Sequence, residues 1–471
     1  MDYIFKCFKT PGACYVYDRH TNSVFSVQEQ EYTEFCEIEK GKVNPEKSEI
    51  FLKYHRQGLL QKNVVEKIEH PATDFLDYLS NNRMEQLILQ VTQQCNLRCA
   101  YCVYSGLYDN RTHSNKEMTF ETAKKAIDFF LARTREMNHV NISFYGGEPL
   151  LEFDLIKKCV AYVNSIVEGK EVRFGTTTNG TLLKDEVVDF LYNNDFHFSI
   201  SLDGSKKEHD ASRKFPSGAG SFDLVMKNVK RIKERYPEYA ANNISFMTTI
   251  NPNMNLDCVM EFFSTDEVMS DSHIIFNTMA DNGLKGELKF EEGFRLRRKY
   301  EYLKLLLMYV GKLNEEAISP MVITSKEQSA RTLRELRKHR PLLSTMHHNG
   351  PCLPGIKRLF VTADGKCYPC ERVSENHDYF CIGSIDEGLQ ISKMEKLINN
   401  GKVIAEKCKN CWNLRQCLLC SSLLEIDDEI NEIDKNSYKE QCRKQKHITM
   451  SSLYELCALK EFGCDLTEGG V

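Results

Sequence analysis

No uninterrupted apolar run of about 18 residues, the length needed to cross a bilayer, occurs in this chain of 471 residues, so no membrane-spanning helix is expected. The opening Met1-Asp2-Tyr3-Ile4-Phe5-Lys6 lacks the basic and long apolar regions of a secretory signal, which sets aside a disulfide-rich secreted protein. Excess positive charge is missing too. The chain has 62 Lys and Arg against 67 Asp and Glu, a net charge of -5, and so no general footprint for nucleic acid. A cytoplasmic protein with neither membrane nor nucleic-acid partners is expected. What the chain has in excess is cysteine: 19 residues, clustered, which in a reducing compartment points to metal.

Residues 3–28 read as three short strands, Tyr3 to Phe8, Ala13 to Tyr17 and Val24 to Val27, separated by Thr10-Pro11-Gly12 and Arg19-to-Asn22 turns. Helical patterns at Glu29 to Glu37 and Pro45 to Gln57 follow, then extended-looking Leu59-Leu60 and Val64-Val65. This predicts a winged-helix-like module over 1–82. Residues 1–80 hold ten Lys or Arg against thirteen Asp or Glu, which disfavours DNA and favours a peptide added along a strand edge. A cap that only covers the next domain is the simpler alternative.

From Gln86 the pattern changes to strands separated by amphipathic helices, the mark of a parallel-sheet α/β domain over 83–280. Strands are expected at Leu87 to Val91, Val140 to Tyr145, Val172 to Thr177, Phe196 to Leu202, Ile244 to Ile250 and His273 to Asn277, enough for an open, partial six-stranded barrel. Residues 281–350 read as a basic helical bridge with its longest helix at Phe294 to Leu313, and His347-His348 as loop rather than ligands. A cysteine-rich domain is expected over 351–450 and a helical tail over 451–471.

Cys95, Cys99 and Cys102 follow the first barrel strand in CxxxCxxC spacing, at the strand end where α/β folds place their chemistry. Iron–sulfur centres are normally held by four thiolates, so three leave one iron open to an outside ligand. A zinc site with a fourth ligand elsewhere is the competing reading. Phe144-Tyr145-Gly146-Gly147-Glu148-Pro149 runs a strand into a turn whose glycines permit close backbone approach. Further polar residues end strands at Thr177-Thr178-Asn179-Gly180 and Ser199-Ile200-Ser201-Leu202-Asp203, with Arg213 in the loop beyond. Each could instead cap a helix or close a turn. Cysteines return at Cys352, Cys367, Cys370, Cys381, Cys408, Cys411, Cys417, Cys420 and Cys442. Cys7, Cys14, Cys36, Cys159 and Cys258 sit in apolar patterns and read as packing, as do Cys457 and Cys464.

The CxxxCxxC loop with Tyr101 before its last cysteine, joined to the Gly146-Gly147-Glu148-Pro149 turn one helix later, resembles the radical S-adenosylmethionine (radical SAM) superfamily. The resemblance implies a 4Fe–4S cluster on Cys95, Cys99 and Cys102, with SAM on the open iron and contacts from Tyr101, Gly146, Gly147, Glu148, Asn179, Ser201 and Arg213. Asp203 is expected only to order its turn. The distal pattern, Cys352-x12-Gly365-x4-Cys370 followed by Cys408-x2-Cys411-x5-Cys417-x2-Cys420-x21-Cys442, resembles the SPASM domain of peptide-modifying members. That implies two auxiliary 4Fe–4S clusters, the outer on Cys408, Cys411, Cys417 and Cys442, the inner on Cys352, Cys370 and Cys420. Cys367 or a substrate thiolate would complete the inner set. Two structural zinc knuckles are the alternative for these distal cysteines.

The implied function is that of a thioether-forming maturase of the sactipeptide or ranthipeptide type, acting on a ribosomally made, cysteine-containing precursor. The N-terminal module would hold the leader, and flavodoxin or ferredoxin would supply electrons. Other crosslinks, or sulfatase-type residue oxidation, are the alternatives within the enzyme class. The 94 residues preceding Cys95 count against the sulfatase-type option, whose members start close to their cluster motif. A zinc-stabilised winged-helix regulator is the alternative outside it, and it leaves the Gly-Gly-Glu-Pro turn unexplained. No side-chain acid or base is identified.

Overall fold

The computed structural model describes residues 2–319, 321–322, 332–338, 340–427 and 429–464. Part of the expected bridge, and the tail beyond 464, lie outside the described residues.

Three antiparallel strands, β1 (Phe5–Lys9), β2 (Cys14–Asp18) and β3 (Ser23–Val27), form the first sheet in the order β1-β2-β3. Helices Glu29–Glu39 and Glu49–Arg56 close over one face, and Phe5, Val16, Phe35 and Phe51 form a core of their own. Ser48 starts the second helix by accepting the Phe51 amide at 2.9 Å, the usual way a hydroxyl satisfies an orphan N–H of the first turn.

The expected extended pieces at 59–60 and 64–65 are not strands. Leu60 takes a positive φ of 52°, and the pairing segment lies just beyond, at β4 (Lys67–Ile68), which pairs in parallel with β11 (Thr345–Met346). Lys62 bridges Tyr3 and Asn63 N donates to Asp2 O at 2.6 Å, whereas just beyond them Val65 and Ile68 pack with Leu342, Cys408 and Leu414 of the cysteine-rich region.

The six expected barrel strands are present as β5 (Gln86–Thr92), β6 (His139–Gly146), β7 (Glu171–Thr178), β8 (His197–Ser201), β9 (Ile244–Ile250) and β10 (His273–Thr278), each parallel to its neighbour. The helix Phe120–Leu131, capped by the Thr119 hydroxyl on the Thr122 amide at 3.1 Å, buries Ala123, Ala126, Ile127 and Phe130 at helical spacing. Alternate strand residues face inward, as the two-residue period requires. Ser143, Tyr145, Gly175, Thr177 and Met247 thereby help line an interior cavity of about 690 Å³.

The sheet does not end at β5. β12 (Leu359–Val361) pairs with it in parallel, Phe360 opposite Ile88, and β13 (Lys366–Tyr368), β14 (Gly383–Ser384) and β15 (Gly388–Leu389) continue antiparallel to a ten-stranded sheet. The cysteine-rich region therefore grows out of the barrel edge. A single helix, Lys435–Glu461, runs through the expected boundary at 450, so Cys442 and Cys457 share one rigid element.

That helix also receives the N-terminal sheet. Leu453 and Cys457 pack on Phe8 and Tyr17, Tyr15 donates to Glu461 at 2.8 Å, and Thr10 donates to the same carboxylate. Leu453 is fully buried. Leu453→Ala should cost about 2–5 kcal/mol of local stability, read as faster amide exchange in β2 with β6 unchanged.

Candidate functional site

The cysteine loop leaves the C-terminal end of β5 and is shaped by backbone contacts on two sides. On one side, Gly147 N donates to Thr92 O at 3.0 Å and Glu148 N to Gln94 O at 2.8 Å. A Cβ on Gly146, whose φ is 147°, would lie 2.0 Å from Thr92 O, and one on Gly147 would lie 2.0 Å from Gln94 O. The two glycines are thus needed for the turn to lie against the cysteine loop itself. On the other side, Arg98 N donates to Lys214 O at 2.7 Å and Ala100 N to Ser212 O at 2.9 Å.

Glu148 is completely buried and fastens neighbouring strand ends. One carboxylate oxygen accepts Thr178 Oγ1 at 2.7 Å and Leu150 N at 3.1 Å, and the other accepts Asn179 N at 2.7 Å. Burial pushes its pKa up to about 7, although these donors favour the ionised form. Asn179 reaches back with Nδ2 to Asn96 Oδ1 at 2.8 Å and to Cys95 Sγ at 3.8 Å. Ser201 ends β8, half-buried.

Asp203 does more than order a turn. Its buried carboxylate accepts Arg213 Nε at 2.9 Å and Nη2 at 3.2 Å, the Thr249 amide at 3.0 Å, and the Tyr101 hydroxyl. The Arg213 guanidinium also lies 5.3 Å from the Tyr101 ring centre. Arg213 is therefore pinned by an ion pair, and its charge faces the loop from that fixed position.

Sγ of Cys95 accepts Leu97 N and Sγ of Cys102 accepts Tyr104 N, both at 3.4 Å. Burial raises the thiol pKa of Cys95 to about 12 and of Cys99 to about 11, with nearby Arg213 pulling Cys99 back. Such thiols ionise by exchanging their proton for a metal. Among the described residues no three or more His, Cys, Asp or Glu converge on a point where one metal ion would sit. A polynuclear cluster instead takes each thiolate on a different iron.

The distal cysteines fall into two groups. Cys408, Cys411, Cys417 and Cys442 line one pocket, walled by His348, Leu419 and Tyr438. Cys352, Cys370 and Cys420 line another, of about 340 Å³. Cys367 does not line that second pocket. It is buried on β13, where Cys381 and Arg133 are the groups that act on it. On β13 the Cys367 side chain packs within the hydrophobic core, so of the cysteines expected for this set the pocket lining includes Cys352, Cys370 and Cys420.

A buried polar chain joins the two pockets. Tyr438 Oη donates to Asn400 Oδ1 at 3.3 Å and Asn400 Nδ2 to Ser421 Oγ at 2.9 Å. Ser421 adjoins Cys420, and His348 Nε2 lies 2.8 Å from the same Asn400 oxygen. The second pocket also shares Arg358, Arg372, Ser422 and Leu423 with the barrel cavity.

Sequence reasoning missed the buried Arg111–Glu375 pair, Nε to Oε1 3.0 Å, in which Gln90 Nε2 also donates to Glu375 at 2.8 Å behind the cysteine loop. Partners 264 residues apart leave no local pattern. The strand Leu359–Val361 did leave one: an apolar run followed by Asp364-Gly365, a hairpin signal.

Residues 89–265 match the model of the Radical SAM superfamily. An uncharacterised protein of Methanocaldococcus jannaschii is 37% identical over 180 residues, 38% of this chain and 57% of that protein. A cysteine-type anaerobic sulfatase-maturating enzyme of Clostridium novyi is 30% identical over 39% of this chain and 49% of its own. The matched segment thus spans about half the length of these two relatives. A Clostridium perfringens enzyme of the same description is 24% identical over 77% of this chain and 94% of its own. The solved structure of native anSMEcpe with bound AdoMet covers 80% of this chain and 99% of its own at a TM-score of 0.56 and 20% identity, which shows a shared fold.

Gly147→Ala should loosen the cysteine loop, read as faster alkylation of Cys95, Cys99 and Cys102 in the metal-free protein with circular dichroism unchanged. Because the Glu148 pKa is raised, the stability contributed by its protonated form is fully present below about pH 4.5 and is lost as pH rises through about 7. Denaturant titrations across that range should show a shallower fall for Glu148→Gln.

Proposed function

We propose that this chain, whose residues 89–265 are a radical SAM domain, is an enzyme that modifies a cysteine-containing peptide, forming a thioether between a cysteine sulfur and a carbon. Cys95, Cys99 and Cys102 would hold the SAM-binding cluster, and the two distal groups would hold auxiliary clusters. The fit rests on the donor chemistry: grouped thiols, backbone amides aimed at sulfur, and a glycine turn that admits no side chain. Bound together, the cluster and SAM supply a 5′-deoxyadenosyl radical able to take a hydrogen atom from a substrate carbon.

The protein's own part is placement. The Gly146-Gly147 seam and the Asp203–Arg213–Tyr101 group fix the cysteine loop, and the barrel walls shield the cavity where substrate would lie. The observation that carries the thioether reading is the second distal pocket. Three cysteines line it, Cys367 is not among its lining residues, and its wall is shared with the barrel cavity, so a cluster held there by Cys352, Cys370 and Cys420 would be reachable by a substrate thiolate from the barrel.

The N-terminal sheet supports a peptide substrate. β3 is an edge strand, and an extended leader added along it would raise the local concentration of the tethered core segment. Sulfatase-type oxidation of a cysteine or serine is the second reading, favoured by the similarity over 94% of the Clostridium perfringens enzyme.

Mass spectrometry of a small cysteine-rich peptide encoded beside this chain, co-expressed with it, separates the two. Thioether formation removes two hydrogens per crosslink and leaves that cysteine unalkylatable. Oxidation to an aldehyde without a crosslink would overturn the thioether reading. The triple variant Cys95→Ala, Cys99→Ala, Cys102→Ala should lose SAM cleavage while retaining auxiliary iron, and persistent cleavage would show the loop assignment to be wrong.

A further inference from the structure

The four-cysteine pocket opens on a surface whose charge departs from that of the whole chain. Cys408, Cys411 and Cys442 lie in a concavity of about 500 Å³ whose other lining residues are Ile404, Asn436, Lys407, Lys439, Arg443 and Lys446. No carboxylate lines it, although the chain as a whole carries more acidic than basic residues. The four cations are exposed, and none has an ion-pair partner among the described residues. The nearest acidic residues in sequence are already paired, Glu406 with Lys409 at 2.5 Å and Glu440 with Lys444 at 3.4 Å. Three of the cations, Lys439, Arg443 and Lys446, sit on one face of the helix Lys435–Glu461 at the four- and three-residue spacing that aligns side chains.

A ring of cations without ion-pair partners around the partly exposed Cys411 and Cys442 is an arrangement for recognising an anion that must come close to those residues. Small anions would be held by converging donors in a closed site, whereas this surface is open and its cations are spread around a rim. Open, weakly buried, charge-guided contacts are the mode of transient electron-transfer pairs, whose interfaces fall below about 1,200 Å².

We propose that an acidic one-electron carrier protein docks on the Lys407, Lys439, Arg443 and Lys446 ring and exchanges electrons with the site held by Cys408, Cys411, Cys417 and Cys442. This rests on the cluster assignment of the proposed function. The step is a single outer-sphere transfer: the reduced carrier loses one electron, the oxidised cluster in that pocket gains it, and no bond changes. The Tyr438–Asn400–Ser421 chain then provides a continuous hydrogen-bonded connection from this pocket to the one lined by Cys352, Cys370 and Cys420.

The test uses the full chain carrying the triple substitution of Cys95, Cys99 and Cys102 by alanine, so that auxiliary iron alone accepts electrons. Iron and sulfide are quantified first, and reduced flavodoxin is then mixed with the protein while cluster absorbance is followed. The second-order rate constant should fall steeply with salt. K439E together with K446E should lower it at least about 10-fold, the low end of what electrostatic steering supplies, and flatten the salt dependence. Reduction by dithionite and iron content should not change in that variant, which separates docking from damage. Rates insensitive to salt and to the charge reversal, with auxiliary iron present, would overturn the docking site alone. Absence of iron from the distal cysteines would overturn the cluster assignment and the docking proposal with it.

Discussion

A single buried carboxylate holds the site together. Asp203 is fully shielded from water, where an unpaired charge would cost several kcal/mol. It persists because four donors from three separated segments converge on it: Tyr101 from the cysteine loop, Arg213 from the loop beyond the following helix, and the Thr249 amide from β9. Without Arg213 the carboxylate would be an uncompensated buried charge, and without Tyr101 or the Thr249 amide it would lose a donor. The cysteine loop therefore gains rigidity from the sheet beside it rather than from its own sequence, which has no regular structure from Gln94 to Ala100.

Much of this was written locally. The six parallel strands fell within one residue of their expected ends, because alternating apolar positions and intervening amphipathic helices recur with fixed periods. The cysteine loop and the Gly-Gly turn were also legible as motifs. What the glycines are for was not, since their constraint is the backbone of Thr92 and Gln94, residues more than fifty positions earlier. Asp203 looked like a turn residue for the same reason, its partners being ten, 46 and 102 positions away. The same holds for the side to which Cys367 turns. A two-residue strand period decides it, and the strand is registered by pairing with β12 and β14 rather than by its neighbours in sequence.

The joining of β12 to β5 changes how the cysteine-rich region is viewed. It is continuous with the barrel through a parallel pairing of Leu359, Phe360 and Val361 with Leu87, Ile88 and Leu89, and it is cross-braced by Arg111 donating to the carbonyls of Glu371 and Val373. Cys370, two residues beyond β13, is consequently positioned by the same sheet that positions Cys95, whereas Cys408 and Cys442 are carried by helices outside it.

The seat of the N-terminal sheet on the helix Lys435–Glu461 joins the beginning of the chain to its far end: Thr10 and Tyr15 meet Glu461, and Arg19 reaches the carbonyl of Lys409 at 2.6 Å. Loop closure over more than four hundred residues is entropically the most demanding contact in the molecule. During synthesis the module emerges before the helix that receives it and has its own core, so it can fold early. It must then wait, folded and unattached, until the helix Lys435–Glu461 has left the ribosome.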